Sequence, residues 1–232
     1  MDLLSVLIPA KNEEETIVET IDNLVEKFNN TIDYEILVIN DYSDDNTEMV
    51  LIDLSAKYHN VIYANNTGVR GVGNAIKFGL EKSKGDIIAI CMADGSDAPS
   101  DVLVSYKYII EEKYDCVFGS RFIKDSKVKN YPYIKRILNR VFNNMVKVVS
   151  NRKYNDFTNI FKVYKRNVIN SIMPIKAQGF SIGLEMSLKS FEKDYRIKII
   201  PISWSQRKAG KSKLKLIKNI RVYFKTLIIS LK

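Results

Sequence analysis

The sequence predicts an α/β protein, a doubly wound and mainly parallel sheet with amphipathic helices towards its C-terminus. Three observations predict it. Short apolar runs alternate with segments of helical periodicity from residue 3 to residue 119, which implies right-handed βαβ crossovers. The runs are apolar throughout, as expected of strands covered on both faces. Finally, clusters of acidic, amide and small residues, "PAKNEE", "NDYSDDNT" and "MADGSDAP", follow these runs, and in open sheets ligands bind beyond the carboxyl ends of the strands.

In order along the chain, "LLSVLI" reads as a buried strand that Pro9 ends. Asn12 is placed to cap the next helix, with Glu15 as its capping-box partner, and Ile17, Val18, Ile21, Leu24, Val25 and Phe28 repeat at helical spacing. "YEILVIN" is a strand and "TEMVLIDLSAKY" a helix; "VIYA" is a strand and "GNAIKFGLEKS" a helix. "DIIAICM" is the next strand, the helix after Pro99 runs to about Glu112, and "DCVFG" is a strand. Beyond Arg121 the pattern changes. "YIKRILNRVFNNMVKVVS" is a basic amphipathic helix, "NDFTNIFKVYK" follows, a helix lies near "FSIGLEMSLKSF", and "YRIKIIPISW" is a strand. With no Pro-, Gly- or Ser-rich linker and no internal repeat, residues 1–212 read as one domain and residues 213–232 as a basic amphipathic helix.

An apolar content of 46% supports a substantial core, and the formal charge of +9 is unevenly spread, acidic early and basic from Arg121 onward. Such a surface suits nucleic acid, anionic headgroups or phosphorylated substrates. Nucleic acid is disfavoured, because no binding motif is present and aromatic residues do not alternate with the basic ones. Cys91 and Cys116 lie inside apolar runs and read as packed thiols, without a zinc spacing, in a reducing cytosolic setting. The first residues carry no signal-peptide pattern, and no apolar run approaches the roughly 18 residues of a spanning helix.

Asp41 sits at a strand end, suited to accept hydrogen bonds from a ribose or a base edge, whereas Ser43, Asp44, Asp45 and Asn46 read as a turn that caps the next helix. Glycines 68, 71, 73 and 79 do not form the G-x-G-x-x-G order of a dinucleotide site; Gly71 and Gly73 either let the backbone approach a nucleotide or only make a tight turn. Asp94 is positioned to hold Mg2+ or Mn2+ against a diphosphate. Asp97 or Ala98 reads as a helix cap, with Pro99 in the first turn. His59 reads as a solvated loop residue. Arg136 and Arg140, four apart, share a helix face. Arg121 in "FGSR" and the segment "QRKAGKSK", with Arg207, Ser212 and Lys213, look like phosphate ligands.

Taken together, "INDYSDDNT", "GVGNAIKFGL", "GSRF", "DFTNIFKVYKRNVI" and "RKAGKSK" resemble, in this order, the blocks of the inverting glycosyltransferases of family two, particularly the dolichol-phosphate mannose synthase branch. The resemblance implies a GT-A fold and transfer of a sugar from a nucleotide-sugar donor. It implies Pro9, Asn12, Glu13, Asp41, Arg70 and Gly71 around the nucleoside, and Asp94 with Ser96 at the metal. It departs at Met92, which stands at the first position of the usual Asp-x-Asp, at Asn40 and at Ile160.

Between acceptors, the abundance of cations and the lack of a clear base favour a polyprenyl phosphate. Arg121, Arg136, Arg140, Arg207, Ser212 and Lys213 are the expected phosphate ligands, and Asp94, Asp97 and Arg121 the expected catalytic residues. Asp97 and Glu185 are the carboxylates available as a base for a hydroxyl acceptor, such as a lipid-linked or polymeric glycan, although capping and a solvated helix face are the simpler readings of the two. A non-catalytic nucleotide-sugar binder is the remaining alternative. In "KLKLIKNIRVYFKTLIISLK", Leu216, Ile220, Phe224, Leu227 and Leu231 share a face, with Lys215, Lys218, Arg221 and Lys225 mostly elsewhere. This suits a helix lying on a membrane surface, peripheral on the cytoplasmic face. Packing on the domain or on a partner in a homo-oligomer is the other reading.

Overall fold

A computed structural model describes residues 2–207 and 216–231. The first half alternates as expected: β1 (Leu4–Ala10), α1 (Ile17–Phe28), β2 (Tyr34–Asn40), α2 (Thr47–Lys57), β3 (Val61–Asn65), α3 (Val72–Lys82), β4 (Ile87–Ile90), α4 (Pro99–Ile110) and β5 (Cys116–Ser120). Then follow β6 (Lys127–Lys129), α5 (Tyr133–Val149), β7 (Lys162–Lys165), α6 (Arg166–Ile172), α7 (Ile182–Glu192), β8 (Ile197–Pro201), β9 (Ser203–Ser205) and α8 (Leu216–Ser230). The division expected between residues 212 and 213 lies outside the described residues.

The seven-stranded sheet has the order β3-β2-β1-β4-β7-β5-β8, parallel except for β7, which runs antiparallel to both of its neighbours. A second, two-stranded parallel sheet joins β6 to β9. Alternate residues of the central strands feed separate cores. Leu4, Val6 and Ile8 pack with α1, α2 and α4, while Leu7, Leu37 and Ile39 pack with residues of α3, α6 and α7. This two-sided burial is why the strands read as continuous apolar runs. Cys91 and Cys116 are buried and unbridged, as packed thiols should be.

Pro9 does not end its strand; β1 runs on to Ala10. Leu7 O accepts from Cys91 N–H on the β4 side, and Ala10 O accepts from Asp41 N–H on the β2 side. Pro9, two residues beyond Leu7, therefore directs its nitrogen to the β4 side, where pairing has already stopped at Ile90. No ladder bond is lost. The Asn12 and Glu15 capping box is also absent. Asn12 takes a left-handed φ of 49°, and α1 starts at Ile17 without a side-chain cap. Asn12 is drawn off by the β2–α2 loop: its N–H donates to Ser43 Oγ at 3.0 Å, and its side chain pairs with Asp44.

Candidate active site

The strand ends that meet at the carboxyl edge of the sheet border a cleft of about 370 Å³. One part is charged and is lined by Glu13, Asp94, Ser96, Asp97, Arg121 and Arg207. The other is apolar, where Leu138 and Phe142 of α5 and Ile220 and Tyr223 of α8 face Ile160 and Phe180. Phe142 joins the two helices, with its ring 5.5 Å from that of Tyr223 and 5.6 Å from that of Phe224.

The loop after β4 presents Asp94 because Thr16 and Thr20 of the first helical turns donate their hydroxyls to Ala93 O at 3.1 and 3.0 Å. Ser96 N–H donates to Asp94 Oδ1 at 3.2 Å, which tightens the turn. Arg207 pairs with Glu13 and brings its Nε to 3.8 Å from Asp94 Oδ2. Glu13 in turn accepts from Thr16 Oγ1 at 3.0 Å. Glu13, Asp94 and Arg207 thus converge from three distant parts of the chain.

Asp97 does not cap α4. Its Oδ2 accepts the Met92 N–H at 2.9 Å, and Ala98 precedes the helix without a side-chain cap. It lines the cleft, and among the described residues nothing donates to its Oδ1. Burial pushes its carboxyl up to about 7 against the Met92 N–H, and the Asp94 charge adds to the shift. Glu185 is not on a solvated face. It is 1% exposed and accepts from the Lys176 and Ala177 N–H groups and from Lys189. The segment before α7 needs those acceptors, so this carboxylate is structural.

Arg121 is held along one edge by Asp156 in a bidentate pair, Nε donating to Oδ2 at 2.8 Å and Nη2 to Oδ1 at 2.7 Å. Burial opposes its charge, but the Asp156 carboxylate more than compensates, so the guanidinium lies above its ordinary value. Phe122, Tyr131 and Trp204 surround it, with ring centres 5.4, 5.5 and 5.9 Å away. Arg136 and Arg140 do not line the cleft. The face of α5 that does so carries Lys135, Leu138, Asn139 and Phe142, the i, i+3, i+4, i+7 set, which turns Arg136 outward. Arg140 lies over the Phe122 ring at 4.7 Å, and its buried Nη1 has no hydrogen-bond partner among the described residues. Ser212 and Lys213 lie outside the described residues.

Pro9, Asn12, Asp41, Arg70 and Gly71 gather beside this cleft at the ends of β1, β2 and β3, and only Glu13 of that expected set lines it. Asp41, 4% exposed, accepts from Asn66 Nδ2 at 2.8 Å and from the Gly71 N–H at 2.9 Å. Gly71 has φ of 132°, and a Cβ there would meet Gln178 O at 2.8 Å, so glycine permits a close backbone approach. Arg70 Nη2 reaches only to Tyr42 O, at 3.5 Å. Asn40, which stands where the family pattern has an aspartate, pairs its amide with Asn65 at 2.8 Å.

Among the described residues there is no group of three or more His, Cys, Asp or Glu able to cage a metal. Asp94, 19% exposed at the cleft, and the Ser96 hydroxyl are hard oxygen donors, and the Met92 side chain adds none. That donor set fits Mg2+ or Mn2+ held by one carboxylate with the remaining oxygens from water and a substrate's phosphates.

The model of the family described as Glycosyl transferase family 2 matches residues 5–173. The chain belongs to this family. Within family 2 it is 29% identical over 217 residues to a dolichol-phosphate mannosyltransferase of Pyrococcus furiosus, covering 91% of this chain and 59% of that protein. It is 24% identical over 223 residues to a dolichyl-phosphate beta-glucosyltransferase of Trichomonas vaginalis, covering 91% and 68%. The chain therefore spans 59% of the length of the Pyrococcus relative. Among solved structures, glucosyl-3-phosphoglycerate synthase from Mycobacterium tuberculosis, in complex with Mn2+, UDP and glucosyl-3-phosphoglycerate, superposes with a TM-score of 0.76 at 19% identity, over 99% of this chain and 80% of that one. The likeness shows a shared GT-A fold.

Sequence reasoning missed Tyr131, Lys135, Asn139, Phe142, Trp204 and Gln206 of the cleft lining. The α5 residues carry the helical spacing that would have revealed them once Lys135 rather than Arg136 was taken as the start of the facing stripe. Trp204 had no signal beyond its strand.

Proposed function

We propose that the chain is an inverting glycosyltransferase that moves a sugar from a nucleotide-sugar to the phosphate of a polyprenyl (dolichyl or undecaprenyl) phosphate, with Mg2+ or Mn2+ at Asp94. The observation that carries this reading is the make-up of the cleft. A carboxylate and guanidinium cluster shares one cavity with an apolar wall between α5 and α8. A diphosphate suits the first and a hydrocarbon chain the second. The Pyrococcus and Trichomonas relatives, whose names specify dolichol-phosphate and dolichyl-phosphate transfer, support the same acceptor class.

Glu13 and Asp94 hold Arg207 at the charged end, where its fork can turn to an incoming phosphate. Arg121, fixed by Asp156, is a rigid positive group in the lining and orients an anion without reorganising. A divalent cation, when bound, offsets the charge that builds on the leaving diphosphate. A phosphate monoester, with its second pKa about 6, arrives as a nucleophile and requires no base. Attack from the face opposite the leaving group inverts the anomeric centre.

Peripheral attachment to the cytoplasmic face of a membrane belongs to the same reading. Both α5 and α8 leave large apolar side chains exposed beside lysines and arginines, Ile134 at 73% and Ile228 at 58% among them. No helix among the described residues is long and apolar enough to cross a membrane.

The test pairs nucleotide-sugars with polyprenyl phosphate and measures lipid-linked sugar and nucleoside diphosphate. Metal-dependent transfer, lost in Asp94→Ala, supports the proposal; strict transfer to a non-phosphorylated sugar overturns it. That second outcome is the alternative with structural support of its own. A hydroxyl acceptor needs a general base, and Asp97 lines the cleft with one oxygen unpartnered among the described residues.

A further inference from the structure

We propose that Trp204, backed by Tyr131, is the platform on which the pyranose ring of the donor sugar stacks. The inference rests on the nucleotide-sugar reading above and adds the subsite that recognises the sugar itself.

Trp204 is the only tryptophan of the chain, and it borders the cleft together with Met92, Asp94 and Asp97. The backbone around it is fixed on two sides. Towards the Asp94 loop, Trp204 bridges Asp97, Ser205 N–H donates to Ser96 O at 3.1 Å, and Ser203 N–H donates to Asp101 Oδ2 at 2.6 Å. Towards β6, Trp204 pairs with Val128, and Gln206 N–H donates to Lys129 O at 3.2 Å. The segment carrying the indole is therefore locked to the loop carrying Asp94, which is what a subsite next to a diphosphate needs.

The ring is also braced by others. Tyr131 lies 4.8 Å from it at 43°, and Phe122 stacks behind Tyr131 at 6.2 Å and 21°. Arg121, within 5.9 Å of these ring centres, holds the row together by cation–π attraction. Trp204 ends the row, and its residue also lines a second cavity of about 250 Å³ behind the Asp94 loop. A large, partly exposed, rigidly supported indole in an otherwise charged part of a cleft is poorly matched to a phosphate. It is well matched to a pyranose, whose ring C–H groups form an apolar face that the negative π-face attracts. Asp94 and Asp97, carboxylates of the same lining, suit the hydroxyl edge of the same ring.

With a single tryptophan, the emission of the native protein reports this subsite directly. The chain is titrated with UDP, UDP-glucose, GDP and GDP-mannose in the presence of Mn2+, reading emission, and affinities are measured by calorimetry for the wild type, Trp204→Ala and Trp204→Phe. The expected result is an emission change on binding a nucleotide-sugar that its nucleoside diphosphate does not produce. Trp204→Ala should lower nucleotide-sugar affinity about tenfold while leaving nucleoside diphosphate affinity unchanged, and Trp204→Phe should retain most of it. Equal emission changes for sugar-bearing and sugar-free nucleotides, with equal losses of both affinities in Trp204→Ala, would overturn the inference and leave the glycosyltransferase reading standing. No binding of any nucleotide by the wild type would overturn both.

Discussion

Asp94 and its neighbours concentrate opposed charges in a small volume, and single substitutions there should separate chemistry from folding. Asp94 makes one backbone contact, to Ser96 N–H, and a long contact to Arg207. Asp94→Asn preserves the shape and removes the charge, so stability should change little, whereas metal-dependent nucleoside diphosphate release should fall at least about a hundredfold. Steady-state assay across a Mn2+ titration beside thermal melting checks this; a variant that keeps its rate excludes Asp94 as the metal's ligand. Lys162 is the residue whose place the sequence concealed. It looks like a surface lysine beside Tyr164 and Lys165, yet it is 0% exposed beneath the cleft floor, donating to Asn159 O and to Phe157 O at 3.4 Å. Burial pushes its ammonium down to about 7, with Asp156 opposing the shift and Arg121 adding to it. The folded pKa lies below the ordinary 10.5, so between those values the unfolded chain binds the extra proton and stability rises with pH. Relative to Lys162→Met, which lacks the titration, the wild type should gain a few kcal/mol, at most about 4, between pH 7 and pH 10. Urea unfolding of both proteins at the two pH values measures it, and parallel pH dependences would refute it.

At the scale of elements, what was legible followed length and period. The alternation up to β5 was readable because each run is either apolar throughout or apolar at helical spacing, and both signals come from burial. The antiparallel β7 and the β6–β9 pair were not readable because "KVYK", "KVK" and "SWS" are not apolar runs, and the seven residues of α6 are too few to show a helical period. The basic helix α5 was found, but its orientation was not. Its charges suggested that Arg136 and Arg140 face the ligand, while its docking is set by a buried amide. Asn143, 0% exposed, donates to Thr158 Oγ1 at 3.0 Å and accepts the Thr158 N–H at 3.2 Å. Asn139 donates to the same hydroxyl at 2.9 Å. This network turns Lys135, Leu138, Asn139 and Phe142 to the cleft and ties α5 to the loop that carries Asp156, the partner of Arg121. Asn143→Leu leaves the Thr158 N–H buried without its acceptor and should cost about 2–4 kcal/mol. A lowered urea midpoint at unchanged slope is the expected signature, and a midpoint equal to the wild type's would show that α5 is docked by its apolar contacts alone.

The whole molecule is organised with its charged cleft at the carboxyl edge of the sheet and most of its exposed large apolar side chains on the two helices that frame the apolar end of that cleft. The C-terminal stripe expected from the sequence divides in the folded chain. Tyr223, Thr226, Leu227 and Ser230 are buried, and Thr226 Oγ1 donates to Ser181 Oγ at 2.9 Å, so this face docks on the domain. Ile220, Phe224, Ile228 and Leu231 form a second face, 49%, 41%, 58% and 40% exposed, beside Arg221 and Lys225. Packing on the domain and an outward apolar face therefore coexist in one helix; the sequence could not separate them because their residues interleave at three- and four-residue steps. Leu216 and Lys218 add nothing here, since their side chains are outside the described set. If the outward faces of α5 and α8 rest on a lipid surface, binding has an apolar part and an ionic part that respond differently to salt. Raising ionic strength shortens the Debye length to about 3 Å at 1 M and removes most of the attraction to anionic headgroups, but leaves hydrocarbon burial intact. Sedimentation with anionic vesicles should therefore weaken with salt yet persist in part. Ile134→Glu with Ile228→Glu, both exposed and so costing the fold only about 0.5 kcal/mol each, should abolish the salt-resistant part. Vesicle binding that is either absent in the wild type or wholly salt-sensitive would mean that these side chains meet something other than a bilayer.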